Sequence, residues 1–336
     1  MAASHLNQRL RMKAHFPCTR IEPSRPVASL AEDVRGGLLH SPRSLPPKYF
    51  YDGRGALLFE RICDLPEYYL TRTEAGLLAE SATTIIDAVR PARILELGSG
   101  AATKTRLLLD ACAAMDLAPG YAPFDVCEDM LQQSAEQLSR DYPWLSVTPM
   151  CGDFSGGLAG LPVVSGTTLY VFLGSSIGNF APAEARELLR DIRSRMRGDD
   201  RLLIGFDRFK DPAVLHAAYN DSSGVTAAFN LNLLRVLNRD LGADFDASAF
   251  RHLALVNSEA RRVEMYLEAR SRQSVWFSAL RTRLRLETGE RIMTEMSHKY
   301  EREDIAGLLA DSGLQEALHF CPDNKWYSLV VTAPLG

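Results

Sequence analysis

Glu96-Leu97-Gly98-Ser99-Gly100 puts two glycines directly behind a short apolar run and directly ahead of a helix-forming one. Glycines at such a turn let the backbone approach a ligand closely, and the next helix begins with N–H groups that have no partner inside it. Asp125 ends the following apolar run, 25 residues after Gly100, where a carboxylate can accept both hydroxyls of a ribose. One run later stands Gly152-Asp153-Phe154, an acid able to accept from an adenine amine beside a ring able to pack on the base. A G-x-G alone says little. Three such elements behind three successive strands point to an adenosine ligand.

The same residues narrow the choice of adenosine ligand. Gly98-Ser99-Gly100-Ala101-Ala102-Thr103 lacks the third glycine of a dinucleotide turn, which disfavours a nucleotide-dependent oxidoreductase, and no phosphate-cradling G-x-x-x-x-G-K-[ST] occurs. Glu96, two residues ahead of the first glycine, suits a cation better than a diphosphate. S-adenosylmethionine carries a sulfonium and no phosphate, and it is the cofactor expected.

These residues need a sheet to align them. Arg93–Leu97, Tyr121–Val126, Leu145–Met150, Thr168–Leu173 and Arg201–Phe206 read as strands. Ser81–Val89, Thr103–Met115, Asp129–Tyr142 and Ala183–Met196 read as helices between them. This alternation predicts an α/β fold with a doubly wound, parallel, Rossmann-like sheet. The rhythm then breaks. Pro212–Leu241 is helical without an intervening strand, Phe250–Leu286 alternates like strands, and Asp304–Ser312, Glu316–Phe320 and Trp326–Thr332 read as a helix and two strands. An inserted α+β lobe is therefore expected, built from residues 1–65 and 209–299. The cofactor-binding domain is then 66–208 and 300–336.

Composition excludes several classes. The 336 residues hold 38 Lys and Arg against 42 Asp and Glu, a formal charge of −4, so nucleic-acid binding lacks its electrostatic footprint. The alternation of Arg281, Arg283 and Arg285 reads as a solvated strand face. No apolar run is long enough for a membrane span. The six cysteines never fall at C-x-x-C spacing, which predicts reduced thiols in a cytoplasmic protein. The seven histidines form no H-E-x-x-H and no metal-spaced cluster, so no metal is expected. The first 20 or so residues, with Arg9, Arg11, Lys13 and Arg20 and no acid, read as a frayed tail.

Around these motifs the chain resembles the class I methyltransferases and, more narrowly, the histidine Nα-methyltransferases of ergothioneine biosynthesis. The resemblance rests on Tyr49-Phe50-Tyr51-Asp52 with Gly55, on Leu65-Pro66-Glu67-Tyr68-Tyr69-Leu70-Thr71-Arg72-Thr73-Glu74 and on Gly174-Ser175-Ser176-Ile177-Gly178-Asn179. It rests also on Tyr219 with Gly224-Val225-Thr226-Ala227-Ala228-Phe229-Asn230, and on Thr294-Glu295-Met296-Ser297-His298-Lys299-Tyr300. It runs from about Leu45 to Thr332. It implies conversion of L-histidine, through its mono- and dimethyl forms, to the trimethylammonium betaine hercynine with S-adenosylmethionine and no metal.

By that resemblance Gly98, Gly100, Lys104, Asp125, Asp153 and Phe154 contact S-adenosylmethionine. Asn179 and Tyr219 hold the substrate carboxylate, and Tyr51 and Gly174 lie near its amine. Tyr68, Glu295 and Ser297 bond the imidazole, and Met265 packs on it. Tyr51 and Asn179 are the residues it puts closest to the chemistry. A small-molecule substrate, a monomer, and no nucleic-acid or membrane partner are expected. The alternative is an N-methyltransferase acting on another amino acid or a tryptophan-derived amine. Neutral imidazole offers one donor and one acceptor, which Glu295 and a hydroxyl match.

Overall fold

Alternating apolar runs separated by glycine and proline turns become, in the computed structural model, a chain described over residues 16–336. It opens with β1 (Thr19–Arg20), α1 (Leu30–Asp33), β2 (Arg43–Ser44), α2 (Gly53–Cys63) and the long α3 (Tyr69–Val89). β3 (Arg93–Leu97), α4 (Thr105–Ala114), β4 (Gly120–Asp125), α5 (Glu128–Asp141) and β5 (Met150–Cys151) follow. Then come β6 (Thr168–Phe172), α6 (Pro182–Arg195) and β7 (Arg201–Asp207). α7 (Pro212–Tyr219) and α8 (Val225–Leu241) precede β8 (Phe250–Asn257), β9 (Arg262–Ala269), β10 (Gln273–Phe277), β11 (Thr282–Leu286) and β12 (Arg291–His298). α9 (Arg302–Asp311), β13 (Leu314–Phe320) and β14 (Tyr327–Pro334) complete the chain.

Eight strands form one sheet in the order β1-β5-β4-β3-β6-β7-β14-β13. β1 to β7 of this sheet run parallel, whereas β14 runs antiparallel to both β7 and β13. A tight return from Phe320 to Tyr327 closes a hairpin, and a hairpin can only add antiparallel strands. β3 and β6 are buried along their whole length, as strands covered on both faces must be. Strand order reverses between β3 and β6, so the crevice outside their carboxyl ends is where such a sheet receives a ligand.

A second sheet, β2-β12-β9-β8, and the hairpin β10-β11 share a separate core with α7 and α8. That core takes Val34, Leu38, Leu45, Phe50, Leu58 and Ile62 from the N-terminal segment, and it also takes Tyr69 and Leu70 from the first turn of α3.

Three expectations change at their edges. Residues 1–15 lie outside the described residues, but Thr19–Arg20 pairs in parallel with Met150–Cys151 rather than fraying. The edge of β5 offers unpaired backbone groups, and the chain fills them. The segment just after belongs with the large sheet and not with the inserted lobe: Ile21 sits in its core, and the Ser24 and Arg25 N–H groups donate to the Gly156 carbonyl at 2.8 and 3.0 Å. The strand expected over Leu145–Met150 pairs only at Met150–Cys151, with a single bridge at Val147, because Pro149 has no N–H for a ladder.

Gly205 in β7 shows how closely the layers approach. A Cβ there would overlap Glu74 Oε1 and the Tyr327 hydroxyl, both buried. Gly205→Ala is expected to destabilise the protein by about 1–3 kcal/mol through overpacking. Its S-adenosylmethionine affinity should fall as well. A denaturant midpoint unchanged from the parent would show that Glu74 and Tyr327 can move aside.

Among the described residues no helix is long and apolar enough to cross a membrane, and no group of three His, Cys, Asp or Glu side chains could hold a metal ion.

Candidate active site

The glycine turn leaves β3 with Gly98 at φ +67° and Gly100 at φ +48°, the left-handed region that glycine enters without a Cβ penalty. Ala102 also sits there, at φ +54°, held by its N–H donating to the Ser99 carbonyl at 2.8 Å. A strained non-glycine residue of this kind costs about 1 kcal/mol or more and clusters at functional sites. Above Gly100 a Cβ would meet nothing within 4 Å, so the turn faces open space. Ser99 Oγ is buried there with no hydrogen-bond partner.

Asp125, at the end of β4, accepts from the Gly100 N–H at 2.9 Å and from the Cys127 N–H at 3.0 Å. Each oxygen keeps a further lone pair. Asp153 accepts from the Ser155 N–H at 2.9 Å on one oxygen and from Lys48 Nζ at 3.2 Å on the other. The Phe154 ring lies among Phe124, Phe172 and Phe180, with its edge toward Gly98. The parallel strands thus bring Gly98, Gly100, Asp125, Asp153 and Phe154 to one end of the sheet, and the open, polar cradle they form fits an adenosine ligand.

Glu96 departs from expectation. It is buried below the turn, where Thr105 and Tyr121 donate to it, and burial pushes its pKa up to about 7. It braces the turn from beneath. Glu74, buried in α3, accepts from Lys104 Nζ, from the Gly174 N–H at 2.9 Å and from the Tyr327 hydroxyl at 2.6 Å. Lys104 is thereby drawn back to the Gly174 turn: a Cβ on Gly174 would lie 3.5 Å from its ammonium.

The substrate-side candidates come from seven separate places in the chain. Tyr51 follows the short turn Pro47–Phe50, and its ring meets Phe59 at 5.6 Å and Phe229 at 5.7 Å, edge to face. Phe59 in turn meets Tyr68 at 6.4 Å, and Tyr68 meets Tyr219 at 6.3 Å. One aromatic wall results. Glu295 in β12 pairs in register with Met265 in β9 and accepts no hydrogen bond from any described residue. Burial pushes its pKa up to about 7, against the opposing field of Lys299. Burial first, and then the Glu295 carboxylate, holds the Tyr51 phenol well above its ordinary value; Asp125 adds to this from the cofactor side. Tyr68 is raised likewise, by burial, Tyr219 and Glu295.

Asn179 ends the one-turn helix Ser176–Asn179 behind β6. That turn packs on β12 so closely that a Cβ on Gly178 would lie 2.7 Å from the His298 carbonyl oxygen. Asn179 is therefore set beside the Glu295–Lys299 stretch. Tyr219 and Ser297 share a hydrogen bond of 2.9 Å between their hydroxyl oxygens.

Several contributors escaped the sequence reading. Phe59 and Phe229 complete the aromatic wall. His252 accepts at Nδ1 from Asn230 at 2.9 Å, so its Nε2–H donates to the Tyr219 carbonyl at 2.8 Å, and burial keeps the ring neutral by lowering its pKa. Asp207 ends β7 fully buried. An acid at the carboxyl end of a parallel strand was the available signal for it.

Fold and turn are those of an α/β protein of the S-adenosylmethionine-dependent methyltransferase class, with a candidate adenosine cradle at the carboxyl edge of the sheet and a cluster of aromatic and polar side chains contributed by the second lobe. Residues 30–334 match the profile of the S-adenosylmethionine-dependent, histidine-specific methyltransferases, and the chain belongs to that family. The histidine N-alpha-methyltransferase of Mycolicibacterium smegmatis is 45% identical over 86% of this chain and 89% of its own. That of Mycobacterium tuberculosis is 43% identical over 85% and 89%. Ergothioneine biosynthesis protein 1 of Neurospora crassa is 31% identical over 85% of this chain but only 32% of its own length.

Proposed function

We propose that this chain methylates the α-amine of L-histidine three times, giving hercynine, the first step of ergothioneine biosynthesis. The observation that carries the reading is Glu295. Its carboxylate accepts no hydrogen bond from any described residue, yet it stands opposite Met265 and acts on the phenols of Tyr51, Tyr68 and Tyr219. A half-buried carboxylate with no protein donor is an acceptor left for a ligand N–H.

In this reading residues 30–65 and 209–299 supply the substrate lobe of a single chain that works as a monomer. Gly98, Gly100, Lys104, Asp125, Asp153 and Phe154 hold S-adenosylmethionine, which when bound supplies an electrophilic methyl group on its sulfonium. Asn179 and Tyr219 take the carboxylate of histidine. Glu295 accepts the ring N–H, a hydroxyl of Tyr68 or Ser297 serves the other ring nitrogen, and Met265 covers the ring face. Six free thiols fit a reducing cytoplasm.

The chain's own contribution is to present a neutral amine in one orientation. An α-ammonium has no lone pair, and a buried cleft beside a cationic cofactor disfavours the charged form. Tyr51 stays a phenol, because burial and Glu295 oppose its ionisation. It accepts a hydrogen bond from an N–H of the amine and so turns the lone pair toward the methyl group, while the proton left on nitrogen after each transfer is released to solvent water. Gly174, its N–H tied to Glu74, sets the neighbouring backbone where no side chain intrudes. Positioning is the main catalytic effect. The final fixed cation has tyrosine ring faces nearby, which favour it.

Mass spectrometry of reactions with S-adenosylmethionine and each free amino acid tests the reading. Successive methyl additions to histidine alone are expected. Methylated tryptophan, or cofactor turnover with no amino acid modified, would overturn it.

A further inference from the structure

Lys299 lies at the centre of a buried polar cluster that the transfer chemistry does not itself use. Its side chain and that of Asp207 are both fully buried and pair at 2.8 Å. The same ammonium donates to Tyr219 Oη at 2.9 Å and to Ser297 Oγ at 2.9 Å. An ammonium has three hydrogens, so all are spent and none is left for a ligand. Asp207 also accepts from the Tyr69 hydroxyl at 2.7 Å and from Lys210, whose ammonium lies 4.1 Å from the Tyr69 ring centre. One carboxylate therefore meets two ammoniums. The cluster carries a surplus positive charge, and Glu295 feels that charge without touching it.

The consequence falls on the two hydroxyls. Each already accepts from Lys299, and only one hydrogen can lie between Tyr219 Oη and Ser297 Oγ. The other must point away from the pair. Once a ligand supplies an acceptor, the Tyr219 hydroxyl can release Ser297 and donate to the ligand while Lys299 still holds both oxygens, and Ser297 stays free for a ring nitrogen. A hydroxyl that accepts from a cation is also a stronger donor to an anion.

We propose that Lys299 is a positioning residue for carboxylate recognition: held by Asp207, it fixes Tyr219 Oη by donating to it, leaves the hydroxyl hydrogen of Tyr219 for a ligand oxygen, and so selects an amine that carries a carboxylate over one that does not. This inference rests on the reading of histidine as substrate. Lys210 leaves Asp207 with a cation when Lys299 is removed, so the substitution need not unfold the lobe.

The test compares binding of L-histidine and of histamine, the same molecule without its carboxylate, to protein saturated with S-adenosylhomocysteine. Calorimetry is done on the parent, Lys299→Met, Tyr219→Phe and the double variant. The parent should strongly prefer histidine. Lys299→Met should weaken histidine roughly tenfold to a hundredfold, the worth of a charge-assisted hydrogen bond. Histamine and S-adenosylhomocysteine affinities should hardly change. Tyr219→Phe should collapse the preference too, and the double variant should lose no more than the worse single one. A preference kept within about twofold in either single variant, or losses that simply add, would overturn the proposal. Should Lys299→Met not fold, Lys299→Gln takes its place, and a preference for histidine kept within about twofold there overturns the proposal. A parent that binds S-adenosylhomocysteine but not histidine defeats the functional reading itself. A parent that prefers histidine, with variants that keep the preference, defeats only the role of Lys299.

Discussion

Asp125→Ala should lose S-adenosylmethionine affinity by roughly a hundredfold or more while the protein remains folded. The carboxylate already ties the glycine turn to the following loop through the Gly100 and Cys127 N–H groups. Charge-assisted bonds of this kind are each worth about 1.5–3 kcal/mol. Alanine removes the ribose acceptors and releases the turn that shapes the cradle, so binding loses contact and pre-organisation together. Asp125→Asn is the sharper companion. An amide has one acceptor oxygen for two N–H groups and turns its own NH2 against the other. Titration calorimetry with S-adenosylhomocysteine is the direct measurement. Affinity within about threefold of the parent in Asp125→Ala would remove Asp125 from the cofactor site.

Glu295 should govern both selectivity and pH dependence. Its pKa, pushed up to about 7 by burial, means that below neutrality the free site holds a carboxylic acid. Above neutrality it holds the carboxylate that a ring N–H requires. The kcat/KM for histidine should therefore rise as pH passes upward through about 7, and Glu295→Gln should lose that inflection. A later rise from the α-ammonium of the free amino acid, which titrates at about 9 and so above the α-amino group of a peptide, should survive in both proteins. Glu295→Ala should lower kcat/KM for histidine by roughly two orders of magnitude, because the ring N–H is left unpaired in a closed site, and relax rejection of other side chains. The same shift acts on stability. Between its ordinary value near 4.5 and about 7 the folded state holds a proton that the unfolded state has released, so stability falls as pH rises through that window. Glu295→Gln should escape that loss. A profile for Glu295→Gln that keeps the inflection near 7 would assign it to another group.

The cofactor side of the site was legible in the sequence because its signals are local. Gly98 and Gly100 must follow β3 to make the turn. Asp125 and Phe154 follow the next two strands, and parallel strands deliver all their carboxyl ends to one edge. Glu96 misled for the same reason. Its place in the sequence is right for a cation, but its side chain points down to Thr105 and Tyr121, and strand alternation alone does not say which face a ligand occupies.

The amino acids themselves thus determined the sheet, its glycine turn, the candidate adenosine cradle and the interruption after β7. Resemblance rather than spacing supplied the candidate substrate residues. Tyr51, Tyr68, Asn179, Tyr219, Met265 and Glu295 come from elements far apart in the chain, and only the packing of the second sheet against the turn Ser176–Asn179 gathers them. The buried charges were decided by tertiary structure alone. In one dimension Glu74, Lys210 and Lys299 look like ordinary surface residues, and Asp207 shows only its place at the end of β7. A charge becomes a positioning device only when folding removes water from around it, and that depends on partners up to 253 residues away, as between Glu74 and Tyr327.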